Sequence, residues 1–120
     1  MKNKTILVCD DEEGILDVVE MMLDAEGFTV YTELESAHVL NRIREHAPDL
    51  LIVDLWMPVM SGDEVIRKIR GDHEIKSLPI MVMSASRDGE GIAFDAGADR
   101  FISKPFDINA FVSKVEELIG

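Results

Sequence analysis

The sequence predicts a doubly wound α/β fold, in which helices cover both faces of a parallel sheet. Short apolar runs alternate along the chain with longer segments whose apolar residues recur at helical spacing. The apolar runs are unbroken, which is typical of strands buried on both faces. Strands that alternate with helices favour a parallel sheet covered on both sides. Five strand-helix units account for the whole chain.

The predicted strands are the five apolar runs. Pro79 introduces the fourth run, and the fifth is brief. Because each run is too short for a helix, strand is the favoured assignment. The runs are residues 6–9, 28–31, 50–53, 80–83 and 101–102.

The predicted helices follow the strands. The first ends near Gly27, since glycine is common just after a helix. Ser36 is predicted to cap the second helix, which ends before Pro48. The apolar positions that indicate the five helices are Ile15, Val18, Val19, Met22 and Leu23; Leu40, Ile43 and Ala47; Val65, Ile66 and Ile69; Ile92, Ala93 and Ala96; and Ile108, Phe111, Val112, Val115, Leu118 and Ile119. Core positions are also predicted for Met21, Met22, Met81 and Met83.

Composition limits the classes of function. At 120 residues the chain is the size of one domain, and we expect that domain to span residues 1–120. The formal net charge of −12 argues against direct contact with nucleic acid and fits a cation or a basic partner. Cys9 is the only cysteine, so there is no disulfide framework and no multi-cysteine metal site, and a buried, reduced thiol is expected. No apolar run is long enough to span a membrane, so a cytoplasmic location is predicted.

Polar residues stand directly after the predicted strands. Asp10 and Asp11 follow the first, Asp54 the third and Ser84 the fourth, and Lys104 lies just past the fifth. In an open parallel sheet, ligands bind at the C-terminal edge of the strands, where the strand order reverses. Although a polar residue often ends a strand only because the chain returns to solvent, five such positions together predict a functional site.

Three carboxylates at one edge need either a proton or a cation, because they repel one another. Oxygen ligands favour Mg²⁺, Mn²⁺ or Ca²⁺ over zinc, and Mg²⁺ commonly combines one or two carboxylates with a phosphate oxygen. Lys104 could then pair with one phosphoryl oxygen and Ser84 could hydrogen-bond another. A carboxylate in this pocket could attack phosphorus to form an acyl phosphate.

Five motifs occur in order along nearly the whole chain. They are Asp-Asp-Glu at 10–12, Asp-Leu-Trp-Met-Pro-Val-Met-Ser-Gly at 54–62, Met-Ser-Ala at 83–85, Ala-Gly-Ala-Asp at 96–99 and Phe-Ile-Ser-Lys-Pro-Phe at 101–106. With these motifs the chain resembles the receiver domain of two-component response regulators, in the single-domain arrangement of chemotaxis-type receivers. The resemblance implies a flavodoxin-like (βα)₅ fold with strand order 2-1-3-4-5.

The resemblance also implies the roles of the acidic residues. Asp54 is the implied phosphoacceptor, and its phosphoryl donor is a sensor histidine kinase or a histidine phosphotransfer protein. Asp11 and Asp54 would bind Mg²⁺, or Mn²⁺ in its place, together with the backbone carbonyl of Trp56. Asp10 would support the metal through water. The chain would then be a phosphoacceptor switch and not a turnover enzyme.

Other residues are assigned by the same resemblance. Lys104 and Ser84 would hold the phosphoryl group, and Pro105 would follow a cis peptide bond. On phosphorylation Ser84 would shift and Phe101 would turn inward, changing the face formed by the fourth helix, fifth strand and fifth helix. That face would control an output domain or an effector protein, or form a phosphorylation-dependent homodimer. Many family members carry tyrosine where Phe101 stands, so this switch would rely on packing.

Three alternatives remain open. A Mg²⁺-dependent phosphatase acting through an aspartyl-phosphate would need another acid two residues after Asp54, where Trp56 stands, and a substrate cap. An interaction module that works without phosphorylation would not need the acceptor, Ser84 or Lys104, all of which are present. A flavin-binding protein would need a phosphate loop after the first strand, where acidic residues stand instead.

Overall fold

Strands and helices alternate through the described part of the chain, residues 4–86 and 88–120 of a computed structural model. The strands are β1 (Thr5–Cys9), β2 (Thr29–Glu33), β3 (Leu50–Asp54), β4 (Ile80–Ser84) and β5 (Arg100–Ser103). The helices are α1 (Glu13–Ala25), α2 (Val39–His46), α3 (Gly62–Arg70), α4 (Gly89–Ala96) and α5 (Ile108–Ile119), and a short 3-10 helix, Ser36–His38, precedes α2.

The strands form one parallel sheet in the order β2-β1-β3-β4-β5. The predicted fold class is confirmed, and so is the strand order that the family resemblance implies. From β1 the chain moves to one edge of the sheet, and from β3 it moves to the other, so the order reverses between β1 and β3. Ligands bind at such a reversal in open α/β sheets.

Two apolar cores lie on the two faces of the sheet. Leu51 and Val53 pack with α2, α3 and α4, whereas Leu50 and Ile52 pack with α1 and α5. Side chains of a strand point alternately to opposite faces. Because both faces are covered by helices, β3 is buried at every position, which explains the unbroken apolar run at residues 50–53.

The structure corrects three local predictions. Ser36 does not cap α2: it is buried in the 3-10 helix, and its hydroxyl donates a hydrogen bond to the Pro58 carbonyl at 3.1 Å. Met21 is 70% exposed, so its predicted core position is wrong, while Met81 and Met83 are fully buried as expected. The second strand starts at Thr29, one residue later than predicted.

Other end signals agree with the structure. Gly27 has φ 93°, so it adopts the left-handed conformation predicted for a residue just beyond α1.

Between residues 4 and 120, with residue 87 left aside, we find no helix whose length and apolar content would let it cross a bilayer.

Candidate functional site

A buried acidic pocket lies at the C-terminal edge of the sheet. Asp10 and Asp11 follow β1, and Asp54 is the last residue of β3. Asp10 is 0% and Asp54 5% exposed, whereas Asp11 is exposed. One carboxylate oxygen from each of these three aspartates lies within 4.8 Å of the other two. The sheet therefore brings together three carboxylates that are far apart in sequence.

The pairing register of the strands explains why these residues lie close together. Cys9 lies opposite Val53, so the next residues on the two strands, Asp10 and Asp54, leave the sheet at the same level. Asp54 lies opposite Met83, which puts Ser84 one residue further along the neighbouring strand.

Lys104 supplies the positive charge of the pocket. Its Nζ lies 2.7 Å from Asp10 Oδ2 and 3.3 Å from Asp54 Oδ1, and its side chain is only 11% exposed. Glu12 Oε1 is 3.7 Å from the same nitrogen, and the Glu12 amide donates to Asp10 Oδ1 at 2.9 Å. One ammonium group thus bridges two buried carboxylates.

The backbone fixes the start of the Lys104 side chain. The Lys104 amide donates to the Ser84 carbonyl at 2.7 Å, which continues the pairing of β4 and β5 by one residue. The peptide bond between Lys104 and Pro105 is cis, the isomer that the family resemblance implies. Lys104 therefore leaves the sheet beside the end of β4.

Burial and like charge raise the pKa of both buried aspartates. Loss of solvent, followed by the charge of Asp10, raises the pKa of Asp54 to about 6, although Lys104 opposes the shift. Desolvation also raises the pKa of Asp10, against the hydrogen bonds from Lys104 and Glu12. Burial alone would lower the pKa of Lys104, but the hydrogen bond to Asp10 and the charge of Asp54 raise it. Lys104 therefore remains a cation, but its single positive charge does not offset the effects that raise the pKa of the two buried aspartates.

The donor set fits a divalent cation. With all groups ionised, three aspartates and one lysine carry a net charge of −2 (−3 + 1). The donors are oxygens, which Mg²⁺ and Mn²⁺ prefer, and a divalent ion would balance the charge that raises the pKa of Asp54. The residues present are therefore suited to such an ion.

The loop after β3 approaches the strand backbone very closely at Gly62. A Cβ atom at this position would lie 2.4 Å from the Asp54 carbonyl oxygen and 2.9 Å from Leu55 Cα. The Gly62 amide donates to the Leu55 carbonyl at 2.8 Å. Only a residue without a side chain fits here without a shift of the backbone, so Gly62 fixes the course of the loop after β3. Gly62 belongs to the motif at 54–62, but its local sequence does not predict this contact.

Two apolar side chains of the same loop face solvent. Trp56 is 51% and Val59 91% exposed. Val59 has φ 71°, and the Met60 amide donates to the Pro58 carbonyl at 2.8 Å, which defines a γ-turn. A β-branched residue in this conformation is strained. The exposure and strain of Val59 were not predicted from the sequence.

The two residues expected to act as the switch are both inside the protein. Ser84 is 0% exposed, and its Oγ accepts a hydrogen bond from the Ser86 amide at 3.2 Å. Phe101 is 9% exposed and belongs to the core beneath α2, α3 and α4. The aromatic ring therefore already occupies an inward position in this structure.

Cys9 is a core residue, as the sequence predicts. Its thiol is buried and donates to Met57 Sδ at 3.6 Å. Burial, and next the charge of Glu33, raises the pKa of Cys9 to about 12. The thiol therefore stays protonated and unreactive at neutral pH.

Comparison with known proteins gives consistent matches. The family model for the response regulator receiver domain matches residues 6–116. Response regulator GtcR of Aneurinibacillus migulanus is 34% identical over 95% of this chain and 47% of its own length. Transcriptional regulatory protein KdpE of Mycobacterium tuberculosis is 36% identical over 95% of this chain and 50% of its own. The chain thus spans about half the length of these curated relatives.

A solved structure agrees with these matches. The crystal structure of a Chloroflexus aurantiacus protein assigned to the response regulators superposes with a TM-score of 0.94 at 27% identity, and the match covers 98% of both chains. The two folds therefore agree along nearly the whole length of this chain.

Proposed function

Because this chain belongs to the response-regulator receiver family, we propose that it is a phosphoryl-accepting switch in which Asp54 takes the phosphoryl group in a Mg²⁺-dependent reaction. The supporting observation is the buried pocket, in which Asp54 lies beside Asp10 and 3.3 Å from the Lys104 ammonium. We further propose that residues 1–120 form one receiver domain.

The chemistry divides among the pocket residues. An oxygen of the Asp54 carboxylate would attack phosphorus and form an acyl phosphate, while the bond from phosphorus to the histidine nitrogen of the donor, or to the acetate oxygen of acetyl phosphate, breaks and the donor leaves. A pKa of about 6 leaves the Asp54 carboxylate mostly ionised at pH 7. Lys104 would pair with one phosphoryl oxygen and the Ser84 hydroxyl would donate to another. Bound Mg²⁺, or Mn²⁺, would neutralise charge on the phosphoryl oxygens.

The metal would be held by the residues that the resemblance assigns. Asp11 and Asp54 would bind it directly with the backbone carbonyl of Trp56, and Asp10 would support it through water. The fit of this donor set rests on the three carboxylates that lie within 4.8 Å of one another.

Phosphorylation would then change the surface formed by α4, β5 and α5. It adds about −1.5 to −2 charges and three acceptor oxygens at Asp54. Ser84 would move to meet them, and Phe101 would repack without a hydroxyl to anchor it. The modification shifts the balance only through its different interaction with the two conformations.

The partners follow from this role. A sensor histidine kinase or a histidine phosphotransfer protein would donate the phosphoryl group. We propose a cytoplasmic location for the domain. An output domain or effector protein would receive the signal, since the chain spans about half the length of relatives such as a transcriptional regulatory protein. We propose no direct nucleic-acid or membrane contact by this domain, given its net charge of −12. Phosphorylation-dependent homodimerisation is a further proposal.

The decisive experiment is intact-mass measurement after incubation with acetyl phosphate, with and without Mg²⁺. We expect one phosphoryl adduct that needs Mg²⁺, is lost in Asp54→Ala and persists in the control Asp17→Ala, which changes an exposed residue of α1. No adduct on the wild type would favour an interaction module. Repeated turnover of a small phosphate ester would favour a phosphatase.

A further inference from the structure

Gly89 lies at the start of helix α4, where this helix contacts the interior next to the acidic pocket. It is the first residue of α4 and is buried. A Cβ atom at this position would lie 2.7 Å from Leu55 Cδ2, 3.3 Å from Ser84 Oγ and 3.6 Å from Phe101 Cε1. One hydrogen atom of Gly89 therefore occupies the space between three side chains.

These three neighbours come from separate parts of the sheet. Leu55 directly follows Asp54, Ser84 ends β4, and Phe101 lies in β5. Leu55 and Ser84 are both 0% exposed and Phe101 is 9% exposed. Because packed interiors have little free volume, a group added among them must displace at least one of them.

We propose that Gly89 is a positioning residue for phosphoryl transfer: its missing side chain leaves Ser84 and Leu55 where the pocket requires them. This inference rests on the proposed function. It assigns to the start of α4 a role in the reaction itself, in addition to any role of that helix in the output surface.

The predicted displacement is specific to two of the neighbours. A contact of 2.7 Å with Leu55 Cδ2 is a clash, and 3.3 Å to Ser84 Oγ is tight, whereas 3.6 Å to Phe101 is ordinary van der Waals contact. A methyl group at position 89 therefore pushes Leu55, which adjoins the acceptor, and Ser84, which is to donate to a phosphoryl oxygen. Small errors in the placement of reacting groups slow a reaction strongly.

Helix α4 provides a matched control in Gly91. A Cβ at this position would have no neighbour within 4 Å. Gly89→Ala and Gly91→Ala both replace a glycine in the first turn of α4, so both gain helix propensity. Only Gly89→Ala adds the internal contact, and a difference between the two variants isolates its effect.

The test compares phosphorylation rates with acetyl phosphate and saturating Mg²⁺, using intact mass. We expect Gly91→Ala to match the wild type and Gly89→Ala to react about tenfold more slowly. Mg²⁺ affinity, followed by the fluorescence of Trp56, the only tryptophan, should change less than about twofold because the aspartates are not displaced. Thermal unfolding will verify that each variant is folded.

Rescue separates positioning from general damage. Leu55→Val removes the atom nearest to the added methyl, so Gly89→Ala should slow the reaction much less in the Leu55→Val background than in the wild type. Equal rates in Gly89→Ala and Gly91→Ala, or an equal slowing by Gly89→Ala in both backgrounds, would overturn the inference alone. A wild type that takes no phosphoryl group would overturn the proposed function and this inference with it.

Discussion

Replacing Asp54 by asparagine should stabilise the metal-free protein at neutral pH. Asp54 is 5% exposed and lies beside Asp10, so its negative charge is poorly solvated and repelled. Asparagine keeps the size of the side chain and removes the charge. The variant loses the proposed acceptor, yet its fold should become more stable.

The magnitude follows from the pKa. Folding raises the pKa of Asp54 from 3.8 to about 6. A difference of about two units corresponds to about 3 kcal/mol. Because the folded-state pKa is the higher one, this stability is fully present below about pH 4 and is lost as the pH rises through about 6. Asparagine does not titrate, so the variant's advantage at pH 7 should reach about 3 kcal/mol, or on the order of 10 °C in Tm.

The assay is thermal and urea unfolding at pH 7 and at pH 4, in EDTA. We expect a higher Tm for Asp54→Asn than for wild type at pH 7, a much smaller difference at pH 4, and no such pattern for the exposed-site control Asp17→Asn. Saturating Mg²⁺ should narrow the gap, because it binds the wild-type pocket more tightly. A wild type as stable as Asp54→Asn at pH 7 in EDTA would refute this account of the pocket's electrostatics.

Three further predictions concern the loop after β3 and the opposite, N-terminal edge of the sheet. Trp56→Asn should shorten the lifetime of the phosphoryl form several-fold if the half-exposed ring hinders attacking water; an unchanged rate of phosphate loss, followed by intact mass, would contradict this. Arg70 donates hydrogen bonds to the carbonyls of residues 76, 78 and 97 and to the residue 99 carboxylate, so Arg70→Met should reduce the free energy of unfolding by about 2–3 kcal/mol. Arg100→Met, which removes a more exposed ion pair, should reduce it by less than about 1 kcal/mol in urea unfolding. Gly62→Ala should lower the free energy of unfolding by about 3 kcal/mol, because its Cβ would lie 2.4 Å from the strand backbone. The control Gly14→Ala, whose Cβ has no neighbour within 4 Å, should not lower it. Equal stabilities of the two variants in urea unfolding would show that the loop can shift without a cost in free energy.

Much of the architecture is encoded locally. The unbroken run at 50–53 predicted a strand covered on both sides, and Leu51 and Ile52 do pack on opposite faces. Position in a βα unit also predicted which residues would meet, since parallel strands end at one edge. Asp10 and Asp54 are therefore neighbours although 43 intervening residues separate them in the chain. Their catalytic roles stay a proposal.

Local patterns failed where a distant partner decided the outcome. Ser36 had the chemistry of a helix cap, but its hydroxyl donates a hydrogen bond to a carbonyl of the loop after β3 instead. Met21 belongs to an apolar stretch of α1, yet its own side chain is 70% exposed. Propensity does not contain this information, because burial depends on what packs against each face.

The sequence by itself determined the alternation of strands and helices, the two-sided burial of the sheet and the edge at which the acidic residues collect, because these follow from periodicity and chain order. The tertiary structure alone decided the 2.7 Å contact between Lys104 and Asp10, the raised pKa of Asp54 and the steric demand at Gly62 and Gly89. Each of these depends on distances between atoms far apart in the chain, which are fixed only when the strands, loops and helices pack together.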